Sequence, residues 1–468
     1  MTAPAPLLVV GDALLDHDVH GRVDRLAPDA PVPVVSGPRR TSRPGGAALA
    51  ACLAAADGRS VTLVTALGDD PASDTLRDLL DGRARLVELP LSGALSSKTR
   101  VLVDGRPLLR LDDGDGRARE ATEAARRAIA EASAVLVADY GRDTAAALRH
   151  DLAAAAARVP LTWDPHPRGG PPVPGVRLAT PSAAEAHALA ARADGEPEPE
   201  DDLHRVAQDA DRLVHTWRAA SVAVTLGGRG ALLSHGGTPL LVPSPVTADG
   251  DACGAGDRFA ATAAGCLADG DLVETAVRQA VHAATRYVAE GGVRSGAVDT
   301  APAAPRPADR EPTGDALRTA ARVRAAGGTV VAAGGCFDLL HAGHVALLQA
   351  ARSTGDCLIV CVNSDASVRR RKGDGRPLVP QADRIRVLRA LECVDAVAVF
   401  DEDTPERLLA ELRPHIWAKG GDYAMTRLPE AALVESWGGQ VVLFPYLDGR
   451  STTGIAERAA LTPGRAGR

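Results

Sequence analysis

Gly334-Gly335-Cys336-Phe337-Asp338-Leu339-Leu340-His341-Ala342-Gly343-His344 decides how the last third of the chain folds. Residues 329–333 before it are β-branched or small and apolar, the pattern of a buried parallel strand, and 345–351 after it resume apolar residues at helical spacing. The turn therefore sits at the carboxyl end of a strand. Open α/β sheets bind ligands there, and the next helix offers unpaired N–H groups and a positive dipole to an anion. His341 and His344 share the first helical turn and can aim two ring donors at one phosphate. By itself an HxxH pair also fits a surface helix face or half of a metal site; the strand, the Gly-Gly turn and the small residues between the histidines favour phosphate.

Strand-like runs at 357–362, 396–400, 416–418 and 441–444 alternate with helical stretches at 345–352, 383–391 and 405–412, which predicts a small Rossmann-like unit. Arg371, Lys372 and Arg376 fall in a polar segment, 367–380, expected to be a loop. Ser451-Thr452-Thr453 precede an Ile-Ala turn and suggest a second phosphate cradle or a plain N-cap cluster.

With Asn363-Ser364-Asp365, Lys419-Gly420-Gly421-Asp422 and Ser451-Thr452-Thr453, the stretch 334–344 resembles the HxGH nucleotidyltransferase superfamily. The resemblance implies transfer of a nucleoside monophosphate from NTP to a phosphorylated acceptor. It also implies that His341, His344 and Lys372 act in catalysis, and that Gly335, Phe337, Asp338, Arg384, Lys419, Asp422, Ser451, Thr452 and Thr453 hold the nucleotide.

The first 300 residues carry a different signature. Leu7-Leu8-Val9-Val10-Gly11-Asp12 reads as a buried strand ending in a turn, and 32–35, between prolines, as a short edge strand or lid. Runs at 61–65, 135–138, 161–164 and 222–225 alternate with helix-sized segments, which predicts a doubly wound α/β sheet. Near its end stands Asp251-Ala252-Cys253-Gly254-Ala255-Gly256-Asp257. Its glycines let backbone N–H groups converge ahead of a helix, the geometry of an anion hole for a transferring phosphoryl group, and Asp257 is placed to take an acceptor's proton.

Gly11-Asp12 with Asp16, Gly45-Gly46 and Gly254-Ala255-Gly256-Asp257 resemble, in this order, the ribokinase-like (PfkB) sugar kinases, and Lys98-Thr99-Arg100 and Ala138-Asp139-Tyr140 resemble their heptose branch. Asp257 would then be the catalytic base. Asp12, Asp16, Gly45, Gly46, Lys98 and Arg110 would contact sugar; Ser182, Glu185, Thr225, Gly227, Gly254, Ala255 and Gly256 would contact nucleotide, with Glu185 reaching Mg2+ through water. Leu49 and Ser182 stand where that family usually has asparagines, and His166 where it has a lysine. Together the halves resemble the bifunctional heptose kinase and adenylyltransferase family: domains at 1–299 and 315–468, a Pro/Ala linker at 300–314, ATP with Mg2+, and a homodimer formed through the kinase domain. A different sugar phosphate, CTP, or a silent kinase half stay open.

The bounds agree. A chain of 468 residues with 45% apolar and 24% charged residues is an ordinary globular composition with room for two or three domains. A net charge of −7 gives a nucleic-acid partner no support. The seven scattered cysteines contain no CxxC pair and suit a reducing cytoplasm; Cys357 and Cys361 read as core thiols. The N-terminus lacks the basic region of a signal peptide, and the longest apolar run, 47–56, is too short to span a bilayer.

Overall fold

A computed structural model describes residues 4–103, 106–190, 203–245, 250–292, 316–421, 428 and 430–445. The expected linker at 300–314, Asp422 and the cradle at 451–453 lie outside them. Two compact units result: 1–200 with 208–236 and 244–298, and 299–468 with the short segments 201–207 and 237–243.

In the first unit β1 (Leu7–Gly11), β2 (Ala13–Leu26), β3 (Pro33–Gly46), β4 (Val61–Leu67), β5 (Arg85–Ser92), β6 (Ser97–Val103), β7 (Arg106–Asp113), β8 (Arg117–Ala118), β9 (Val135–Ala138), β10 (Leu161–Asp164), β11 (Leu178–Ala179), β12 (Val222–Thr225) and β13 (Ala231–Ser234) form two sheets. The central one has the order β13-β12-β11-β10-β9-β1-β4-β5-β8. It is parallel except where β13 and β8 join its ends antiparallel. All five residues of β1 are buried, as expected of a strand with layers on both faces. The helix Ala47–Ala56 and the helix Ala255–Ala268 pack through faces of small residues, Ala50, Ala51 and Ala54 against Ala260, Ala261 and Ala264. Alanine allows that close approach, and both helices begin at the functional end of the sheet.

The second sheet, order β3-β2-β6-β7, corrects one expectation. Residues 32–35 are not a short edge strand: β3 runs fourteen residues and pairs antiparallel with β2 from Ala13 opposite Gly46 to Leu26 opposite Pro33. Beyond its buried start this sheet is half-exposed and polar, so it shows no apolar alternation.

Among the described residues the second unit holds six parallel strands in the order (Ala396–Phe400)-(Cys357–Asn363)-(Val330–Gly335)-(Ile416–Gly420)-(Gln440–Phe444)-(Leu240–Val242). Chain direction across the sheet reverses at Val330–Gly335, the topological switch point at which such sheets bind ligands. Cys357 and Cys361 are buried on one strand, as expected of core thiols. Lys372 does not lie in a loop: Asp365–Lys372 is a helix whose N-cap, Ser364, accepts from Ser367 N–H at 3.0 Å. Among the described residues no helix is long and apolar enough to cross a membrane.

Candidate active sites

The turn before the helix Ala255–Ala268 is built by Gly254, in the left-handed region at φ 81°. A Cβ there would stand 2.8 Å from both Leu49 Cδ2 and the Tyr287 hydroxyl, so only glycine closes this turn. Asp251 Oδ1 accepts from Cys253 N–H at 3.1 Å and pins the approach. Of the expected anion-hole donors, Ala255 N–H is taken by Ala252 O at 3.0 Å, while a Cβ on Gly256 would meet nothing within 4 Å. Space for a phosphoryl group is thus left over the helix N-terminus.

Asp257 is 8% exposed, and burial pushes its carboxyl up to about 7 against a stabilising bond from Tyr140, whose hydroxyl donates to Oδ1 at 2.7 Å. Tyr140 and the neighbouring Gly256 line two different cavities. One, of about 400 Å³, is lined by Lys98, Asp112, Tyr140, Arg142 and Arg168. The other, of about 180 Å³, is lined by Thr225, Gly227, Ala255, Gly256 and Phe259. The expected nucleotide contacts Thr225, Gly227, Ala255 and Gly256 therefore share one cavity and Lys98 lines the other.

The carboxylates expected to hold sugar divide. Asp16 pairs with Arg43 at 2.6 Å, and a Cβ on Gly45 would fall within 2.9 Å of its carboxylate, which accounts for that glycine. Asp12 accepts from three backbone N–H groups, Tyr140 and Arg142 at 2.9 Å and Thr144 at 3.1 Å. A carboxylate offers about four lone-pair positions, so Asp12 shapes the 140–144 loop with three of them. Gly46, at φ 56°, lets the helix Ala47–Ala56 start beside the Asp12 carbonyl. Arg110 is exposed on β7 and pairs with Asp112 at 2.7 Å.

Asp18, Arg43, Arg100 and Tyr140 were not expected as site residues. Burial raises Asp18, but the Arg100 hydrogen bond and the Arg43 charge outweigh it and hold the carboxyl below its usual range. Arg100 also reaches Asp251 at 3.4 Å, tying β6 to the glycine turn. Arg100 and Tyr140 fall inside stretches quoted above; the link between β2 and β6 that would reveal Arg100's role is not a local signal.

Ser182 and Glu185 form a capping box. Ser182 N–H and Oγ–H donate to Glu185 Oε2 at 2.9 and 2.8 Å, and Glu185 N–H donates to Ser182 Oγ at 3.3 Å. Serine can fill the position of the usual asparagine because capping is what this structure asks of it. Ser182 bridges to Thr225, which carries the pair to the smaller cavity. Hard carboxylate oxygens such as those of Glu185 suit Mg2+, and among the described residues no three or more His, Cys, Asp or Glu converge on a metal.

In the second unit His341 is the N-cap residue of the helix Ala342–Arg352, and its ring stacks on His344 with centroids 3.9 Å apart. Phe337, at φ 46°, lies 5.2 Å from the His344 ring. Burial, then the neighbouring His341, lowers His344 to about 4, so it is neutral before an anion arrives. Lys372 ends its helix exposed, and its charge acts on His344 in the same direction. Gly335 packs beside the Phe337 ring.

Two expected nucleotide contacts, Asp338 and Arg384, also brace the surrounding loops. Asp338, 2% exposed, accepts from Arg376 at 2.7 Å and from Leu378 and Val379 N–H at 2.6 and 3.0 Å, holding the loop after Lys372. Arg384, also 2% exposed, donates to the carbonyls of Cys336, Asn363 and Val379 and to Asp365, which engages four of its five N–H donors. Lys419 pairs with the buried Glu430 at 3.0 Å.

The comparisons follow this division. The model of the pfkB family carbohydrate kinases matches residues 5–301, and that of the cytidylyltransferase-like proteins residues 332–447. Bifunctional protein HldE of Streptomyces coelicolor is 63% identical over 98% of this chain and 97% of its own length. The protein of that name from Pseudomonas aeruginosa is 36% identical, covering 97% of each chain. A solved ribokinase from Arabidopsis thaliana, complexed with ribose and ATP, is similar at a TM-score of 0.49 and 22% identity over 63% of this chain and 96% of that one. Two units, each with its own phosphate-shaped turn, and relatives matched from end to end lead to one conclusion: the chain belongs to the HldE family, bifunctional enzymes that join a heptose kinase to an adenylyltransferase.

Proposed function

We propose that the first unit transfers the γ-phosphoryl group of ATP to the anomeric hydroxyl of D-glycero-β-D-manno-heptose 7-phosphate, giving the 1,7-bisphosphate. Asp257 receives the hydroxyl proton as the new P–O bond forms and ADP leaves. Gly254, Ala255 and Gly256 hold the moving charge, and Thr225 and Gly227 line the nucleotide side. Asp16, Gly45, Gly46 and Lys98 serve the sugar side. The observation that carries this reading is a buried carboxylate whose hydrogen-bond partner Tyr140 lines one cavity and whose chain neighbour Gly256 lines another. Glu185 would hold Mg2+ through water, and the ion would neutralise phosphate charge.

In the second unit heptose 1-phosphate attacks the α-phosphorus of ATP and expels pyrophosphate, giving ADP-heptose, with His341, His344 and Lys372 sharing the charge. The first product carries two phosphates and the second substrate one, so a phosphatase must act between them. We place the protein in the cytoplasm, a reading supported by its seven free cysteines. Pairing of two copies through the four-stranded sheet is supported by Leu108, Leu109 and Leu111, about half exposed on its edge strand β7.

Leu49 favours a second reading. Its methyl lies against the Gly254 turn where the resembling family usually carries an amide, so the acceptor preference differs. Incubation with ATP or CTP and a panel of sugar phosphates, with and without phosphatase, followed by product masses, decides. Heptose bisphosphate and ADP-heptose are expected; turnover of only another sugar phosphate, or of CTP alone, would replace the reading.

A further inference from the structure

We propose that Tyr140 is a positioning residue for the kinase reaction, holding Asp257 by one carboxylate oxygen so that the other is presented to the acceptor hydroxyl. The geometry is a relay. Asp12 fixes the 140–144 loop through three N–H bonds, including that of Tyr140 itself, so the backbone that carries the phenol is anchored. The Tyr140 hydroxyl donates to Asp257 Oδ1 at 2.7 Å, which leaves Oδ2 to take the proton. Tyr140 also lines the larger cavity, with Lys98 Nζ 5.5 Å from its ring centre, so it borders the space given to the acceptor. Burial, then the facing Asp257, keeps the phenol well above its ordinary value, so it remains a donor throughout the working range.

The bond favours the charged carboxylate and thus opposes the upward push of burial. Asp257 also faces the carboxylates of Asp16 and Asp164, the Lys98 ammonium, the Arg43 guanidinium and the Tyr287 phenol. None of these is altered by removing the Tyr140 hydroxyl.

This inference rests on the reading of Asp257 as the base. The full-length Tyr140→Phe variant is assayed for heptose phosphorylation across pH, beside wild type and Asp257→Asn. The expected result is a roughly tenfold or larger fall in kcat, little change in the acceptor KM, and an acid limb moved up by about one pH unit. Incorporating 3-fluorotyrosine at 140 gives a stronger donor, moves the limb down instead, and serves if the phenylalanine variant fails to fold. A limb that stays put in both variants, or a loss confined to KM, overturns the relay. If Asp257→Asn keeps full kinase activity, the reading of the base itself has failed.

Discussion

Ser182 and Glu185 each satisfy the other across the first turn of the helix Ala183–Ala190, with Glu185 Oε2 receiving both the N–H and the hydroxyl of Ser182. This reciprocity aims the carboxylate proposed to reach the metal, so the cap and the chemistry share one residue pair.

Replacing Ser182 with alanine should cost the kinase unit about 1 kcal/mol in denaturant unfolding, and asparagine should restore most of it. Kinase activity should fall in the alanine variant, because Glu185 is released from its orientation. Equal stability of the two variants would mean that the cap contributes nothing.

The pKa of Asp257, raised to about 7, sets a pH dependence in the free enzyme. As a base it must be ionised, so kinase kcat/KM should rise with pH through about 7 and level off above it. Stability runs the other way. A carboxyl whose folded pKa lies above its unfolded value contributes stability that is complete below about pH 4 and is lost as pH climbs through 7. Asp257→Asn should therefore stabilise the kinase unit by up to a few kcal/mol at pH 8 and by much less at pH 5. Thermal unfolding at the two pH values checks the sign.

His344 titrates in the opposite sense. Its folded pKa of about 4 is depressed below 6.5, so the stability it contributes is present above 6.5 and disappears as pH falls to 4. The second unit should lose stability over that window, and His344→Asn should flatten the loss. An unchanged pH profile of unfolding would contradict the burial of this ring.

Arg384 should behave as a brace. Arg384→Lys leaves carbonyls at Cys336, Asn363 and Val379 without their donors and should destabilise the second unit by on the order of 3 kcal/mol, with kinase turnover intact. A stable variant with only a raised KM for ATP would return Arg384 to the nucleotide.

What the chain reveals of itself depends on whether the signal is local. Leu7–Gly11, Val135–Ala138 and Cys357–Asn363 were legible because strands buried on both faces read as unbroken apolar runs. The turns at 251–257 and 334–344 were legible because their glycines adjoin the residues proposed to act. Pro33–Gly46 was not, since Arg39, Arg40 and Thr41 lie on a half-exposed ribbon with no apolar face. The helix Asp365–Lys372 hid behind four consecutive basic residues, although Ser364 followed by Asp365 is a usable start signal. The bracing roles of Asp12 and Arg384 are not legible in the sequence, because a motif shows which residue is present, not how many of its hydrogen bonds the fold has already claimed.

Two independent triphosphate sites on one polypeptide should be separable by single substitutions, which an assay of both half-reactions in full-length Asp257→Asn and His344→Asn reveals. Asp257→Asn should lower heptose phosphorylation at least a hundredfold with adenylyl transfer unchanged, and His344→Asn should do the reverse. Loss of both activities from either substitution, or of neither, would contradict it.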